Sequence, residues 1–148
     1  METTTTNDAA PGGAGTAGRT PVWLASVLAV LAAAVATELY GLAARGTGIP
    51  MAAGSIGASS AAPITVGMFA MGTVICGFWG TILAVLIARF AKHPARTYLS
   101  AAVVLTAVSL VAPLTAGDTA LSTKLMLLIA HLLAAGVIIP IVTRRLAR

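Results

Sequence analysis

Four long runs of apolar residues, separated by short polar segments, make up most of the chain beyond residue 20. They cover residues 21–44, 63–88, 98–114 and 122–142, and the second holds no charged residue. A helix rises about 1.5 Å per residue, so roughly 20 apolar residues cross a hydrocarbon core of about 30 Å. All four runs reach or approach that length. Backbone inside a bilayer has to satisfy its own hydrogen bonds, which leaves helices or closed barrels. Runs this long, rich in Ala and Leu, do not suit barrel strands. The pattern predicts an all-α fold: an antiparallel bundle of four transmembrane helices in one domain, 21–148.

Residues 1–20 have no apolar period and are rich in Thr, Gly and Ala. Such a segment buries too little surface to offset its ordering entropy, which predicts a disordered cytoplasmic tail. The segment 45–62 is long for a small bundle and rich in Gly, Ala and Ser. It reads as a flexible external linker, the alternative being a segment that caps the outer mouth. Pro113 and Pro140 lie inside the third and fourth runs. They deprive the carbonyls of Ser109 and Gly136 of their usual donors, which predicts a bend in each helix. The triplet Ala34–Ala36, "AVA", also resembles a signal-peptide cleavage site, but the apolar run continues well past a normal signal core.

Charge adds orientation. The 148-residue chain is 58% hydrophobic and 9% charged, with a net charge of +5. A soluble domain carries about a quarter charged residues. Arg19, then Arg89, Lys92 and Arg96, then Arg144, Arg145 and Arg148 fall on one side of a four-helix bundle; the other side has Arg45, Lys124 and Asp118. The positive-inside rule places both termini in the cytoplasm. Basic residues at helix ends, with no interleaved aromatics, argue against a nucleic-acid partner. The expected partners are the lipid bilayer and either a second copy or another membrane protein. Cys76 is the single cysteine, which excludes an intrachain disulfide and thiol-pair chemistry. No metal or cofactor signature is present.

Small residues recur every four positions. Gly72, Cys76, Gly80, Ala84 and Ala88 do so in the second helix, and Ala25, Ala29, Ala33, Thr37 and Gly41 in the first. Small side chains let two helix backbones approach closely. Both stripes, with Gly72, Cys76, Gly80, Ala29 and Ala33 at their centres, are expected to be helix contacts, either within the chain or between copies.

The polar residues inside the apolar runs are the candidate chemistry. His131 lies about 13 Å from the outer end of its helix and Glu38 about 9 Å from the end of the first. Ionisable groups at such depth face the bundle interior and find partners there. Glu38 and His131 would meet if the first and fourth helices are neighbours. Arg45 follows Glu38 by seven positions and Lys124 precedes His131 by seven, so each pair shares a helix face. Thr37, Thr106 and Ser109 are further hydrogen-bonding candidates. Such a pair either fixes two helices together or exchanges a proton. His93 sits in a basic loop and reads as solvated.

The segments "RTYLSAAVVLTAVSLVAPL" and "LMLLIAHLLAAGVIIPIVTRRLAR" resemble a family of uncharacterised four-helix membrane proteins, common in high-GC Gram-positive bacteria. Arg96, Tyr98, Ser109, Pro113 and His131 carry the resemblance, which implies a bacterial integral membrane protein and no activity. "ATELYG" around Glu38 is more loosely similar to the small multidrug resistance transporters, where an acid in the first helix carries the coupled proton. Glu38 stands late in its helix for that pattern, the outer loop is longer, the N-terminal tail is extra and that family has no need of His131.

Together these observations lead to a small multi-pass membrane protein with a structural, accessory or partner-binding role. The alternative is a proton-linked transporter of a small solute, with Glu38 as carrier and His131 as its partner. A membrane enzyme ranks third, because no other acid–base set is available.

Overall fold

A computed structural model describes residues 20–148; the tail expected at 1–20 lies outside the described residues except for Thr20. The helices are α1 (Val22–Gly46), α2 (Met68–Phe90), α3 (Pro94–Ser109), α4 (Val111–Thr115) and α5 (Leu121–Leu146). Taken as one span, α3 and α4 cover Pro94–Thr115, so the chain has four helical spans, each long and apolar enough to cross a membrane. This is a multi-pass membrane protein with the all-α architecture that the hydropathy pattern predicts.

The helices form a four-membered ring. α1 packs on α2 and α5, α3 packs on α2 and α5, and α1 and α3 are diagonal. Two apolar clusters fill the ring at different depths. One joins Ala29, Ala84, Ile87, Tyr98 and Val142, and the other joins Ala44, Phe69, Met126 and Ala130. The first takes the start of α1 and the end of α5, and the second takes the reverse, so neighbouring helices run antiparallel. α1 is the most enclosed span, with 39% of its apolar stretch buried against 11% for the third span.

Helix ends differ from the hydropathy limits where local chemistry intervenes. α3 begins at Pro94, because proline at the first helical position has a preset φ and needs no hydrogen-bond acceptor. α2 begins only at Met68: Pro63 belongs to a strand, and Gly67 precedes the helix at φ 91°, a left-handed conformation that favours glycine. Pro113 interrupts the third span at Leu110, and the Ser109 hydroxyl turns back to donate to the Thr106 carbonyl at 2.7 Å. Pro140, by contrast, lies within a continuous α5.

The connection between α1 and α2 is an ordered cap, not a free linker. Strands β1 (Ala52–Ala53) and β2 (Ala62–Pro63) pair antiparallel, and Ile56 bridges to Ala116 beyond α4. Three polar side chains of the 118–123 segment fasten it. Thr123 donates to the Pro50 carbonyl, the Gly54 N–H donates to Thr119 Oγ1 at 2.9 Å, and the Ala61 N–H donates to Asp118 Oδ2 at 3.0 Å. Backbone groups left unpaired near an apolar medium are costly, which explains why a Gly- and Ala-rich loop seeks these donors and acceptors.

Candidate functional site

Glu38 sits in the last third of α1 and reaches across to α2. Its Oε1 accepts the Gly67 N–H at 2.7 Å, and its Oε2 accepts the Ala70 N–H at 3.1 Å. Gly67 has no side chain with which to cap its own helix. The first N–H groups of a helix have no partners within it, and a carboxylate near them also gains from the helix dipole, by about 0.3–1 kcal/mol at exposed sites and up to ~2 in partly buried ones. Glu38 therefore supplies, from another helix, the cap that the α2 sequence lacks.

One turn along, Thr37 and Thr73 join the same two helices, with 3.0 Å between their hydroxyl oxygens. Thr37 Oγ1 also lies 3.1 Å from the Ala34 carbonyl and Thr73 Oγ1 lies 2.8 Å from that of Phe69. Two hydroxyl hydrogens serve three contacts, so the donors alternate. Arg45, on the Glu38 face of α1, donates from Nη2 to the Ile64 carbonyl at 2.7 Å, while its Nε is buried without a partner. The two charged side chains of α1 thus hold the same connection, Arg45 at Ile64 and Glu38 at Gly67.

His131 is engaged elsewhere. Its Nδ1 lies 2.8 Å from the Leu127 carbonyl one turn earlier in α5. A carbonyl only accepts, so Nδ1 carries a hydrogen and, in the neutral ring, Nε2 carries the lone pair. α1 and α5 are neighbours, yet the polar partners of Glu38 are on α2 and that of His131 is on α5. Thr106 donates to the Ala102 carbonyl at 2.8 Å, within its own helix, as Ser109 does to Thr106. Lys124 Nζ points to the Leu114 carbonyl at 3.4 Å, at the exposed rim. Of the polar residues singled out by sequence, Glu38, Thr37 and Arg45 act together, and His131, Thr106, Ser109 and Lys124 stand apart from them. Among the described residues, no three His, Cys, Asp or Glu side chains gather as a metal would require.

The small-residue stripes divide in the same way. Ala29 and Ala33 are 1% and 0% exposed. Gly72 and Cys76 are exposed, and a Cβ at Gly72 or Gly80 would meet nothing within 4 Å. The α1–α2 contact uses the adjacent register. A Cβ at Gly77 would overlap the Val30 methyls, and one at Gly41 would come within 2.7 Å of the Phe69 ring. The buried residues of α2 are Phe69, Gly77, Ala84 and Ile87, with Thr73 and Gly80 half-buried between them. Strict four-residue steps advance about 40° each around a helix of 3.6 residues per turn, so the stripe from Gly72 reaches the interior only near Ala84.

Comparison with known proteins places the chain. A family model matches residues 17–148, nearly its whole length. The chain belongs to DUF6069, a family of unknown function. No curated protein and no solved structure matches it.

Asp118, Thr119 and Thr123, which hold the cap, are not candidates that the sequence singles out by type or depth. Asp118 has φ 42°. Asp is one of the few residues other than glycine that visit this region, and "AGDT" is a turn-forming string. That signal marks a turn but does not name what the turn holds.

Proposed function

We propose that this DUF6069 protein has a structural or accessory role in the membrane, exerted through contact with a partner helix or a second copy, and not through transport of protons. The reading rests on Glu38. Both of its oxygens are occupied by the start of α2. Protonation would convert one acceptor oxygen into a hydroxyl and break one of the two bonds that begin the helix. Each round of proton transfer would therefore disturb the α1–α2 contact. The exposed apolar faces of α2 and of the third span, against the enclosed α1, leave surface for lipid or for a partner.

The same proposal sets both termini on the cytoplasmic side of a bacterial plasma membrane. Its support is the basic asymmetry of the chain ends and of the α2–α3 turn.

The test is proton flux in proteoliposomes, for the wild-type protein and for Glu38→Gln, with folding followed in parallel. The expected result is no flux attributable to Glu38 and a lower unfolding midpoint for the variant. Proton uptake that vanishes in a folded Glu38→Gln protein would overturn the reading in favour of the proton-linked transporter. Reporter fusions at each terminus test the orientation.

A further inference from the structure

The end of the bundle opposite the cap carries charge that no acidic side chain described balances. Arg89, Lys92, Arg96, Arg144 and Arg148 are exposed there. Among the described residues the acidic side chains are Glu38 and Asp118, and both bind at the capped end, to α2's start and to Ala61. The cations come from two segments about fifty positions apart, brought together because α2 ends, α3 begins and α5 ends on the same side. Arg145 is fixed within this group, since its Nε donates to the Thr20 carbonyl ahead of α1.

Between the segments lies an open cavity of about 260 Å³. Lys92, His93 and Arg96 line one side, and Leu146 and Ala147 of the α5 end line the other. The setting is a membrane boundary: Phe90 is 74% exposed immediately before the turn, and the Arg89 guanidinium lies 5.8 Å from its ring centre. A ligand here meets two fixed-charge cations and an imidazole opposite the apolar side chains of the α5 end. A phosphodiester headgroup with its acyl chains along the helices has that composition, one anionic centre continuous with apolar tails. A free anion would use the cations and leave the apolar side unoccupied.

We propose that the cavity between the 91–93 turn and the end of α5 binds the phosphate of an anionic phospholipid headgroup, with Lys92 and Arg96 as its principal cations. The inference does not depend on the proposed role of the protein. It assigns a site, and the site serves a transporter as well as an accessory protein.

The experiment titrates the full-length protein in detergent with phosphatidylglycerol or phosphatidylcholine and counts bound lipid by native mass spectrometry. Phosphatidylglycerol is expected to fill one site preferentially, with affinity falling as salt is raised. Lys92→Ala with Arg96→Ala should weaken it about thirtyfold, on the basis of about 1 kcal/mol for each basic residue near an anionic surface. Lys124→Ala, at the capped end, should leave it unchanged. The double exchange Lys92→Arg with Arg96→Lys keeps both charges and should retain binding, which separates loss of charge from loss of fold. Equal binding of the two lipids, or unaltered binding by the double alanine variant, would overturn the proposal. So would displacement of the lipid by inorganic phosphate at matching concentration, since that identifies a free anion as the ligand.

Discussion

Glu38 Oε1 lies 2.7 Å from the backbone nitrogen of Gly67, so a side chain in α1 caps a helix whose N-cap residue lies 29 positions later. The bond links the most enclosed helix to the connection that follows it. A charge in the apolar part of the chain is thereby spent on a backbone amide and not on another side chain.

Removing that cap has a defined cost. Glu38→Ala leaves the Gly67 and Ala70 N–H groups without their acceptor, and hydrogen bonds to charged groups contribute about 1.5–3 kcal/mol. A loss of about 2–3 kcal/mol is expected, read from reversible unfolding in mixed micelles. Glu38→Gln keeps one acceptor oxygen and should lose about half as much. His131→Ala should not change the size of the Glu38→Ala effect, because the two side chains use different partners. Strong coupling between the two substitutions would contradict this geometry.

Gly77 and Gly72 should respond in opposite ways to the same methyl group. Gly77→Ala drives a Cβ into Val30 and should destabilise by about 1–3 kcal/mol, the usual range for overpacking. Gly72→Ala meets open space and should be neutral or stabilise by up to about 1 kcal/mol, since alanine loses less backbone entropy. Val30→Ala should recover part of the Gly77→Ala loss. If Gly72→Ala proves the damaging substitution of the two, the outer face of α2 is occupied in the membrane, and a second copy is the first occupant to test by cross-linking at Cys76.

The hydroxyl pair between α1 and α2 suits a double-mutant cycle. Thr37→Val and Thr73→Val remove the 3.0 Å contact while keeping volume. Interhelical hydrogen bonds in membrane proteins average about 0.6 kcal/mol, so a coupling energy near that value is expected. A coupling indistinguishable from zero would mean that the hydroxyls serve only their own helices' carbonyls.

Thr123 is fully buried and donates to the Pro50 carbonyl at the edge of the cap. Thr123→Val keeps the shape and removes the donor. A net hydrogen bond contributes about 0.5–1.5 kcal/mol, so amide exchange at Gly54 and Ala61 should accelerate by up to about tenfold. Exchange in α1 should be unaffected. Uniform acceleration throughout the chain would show that the cap and the bundle open as one unit.

The sequence by itself determined the number of helical spans, because crossing a bilayer is a matter of length and apolar content, both of which are local. It also placed Ala29 and Ala33 inside and marked Glu38 as a group that needs a partner. The tertiary structure decided which partner. A bond to a backbone N–H leaves no trace in residue type, so Gly67 and Ala70 gave no sign of it, while His131 offered a plausible side chain that the fold does not use. The face of α2 was decided in the same way. Small residues occupy two neighbouring registers, and only the packing of Val30 and Phe69 against Gly77 and Gly41 selects between them. The cap followed that logic too: "GIPMAAGSIGASSAA" reads as a linker, and its order comes from hydrogen bonds to Asp118, Thr119 and Thr123, more than fifty positions away.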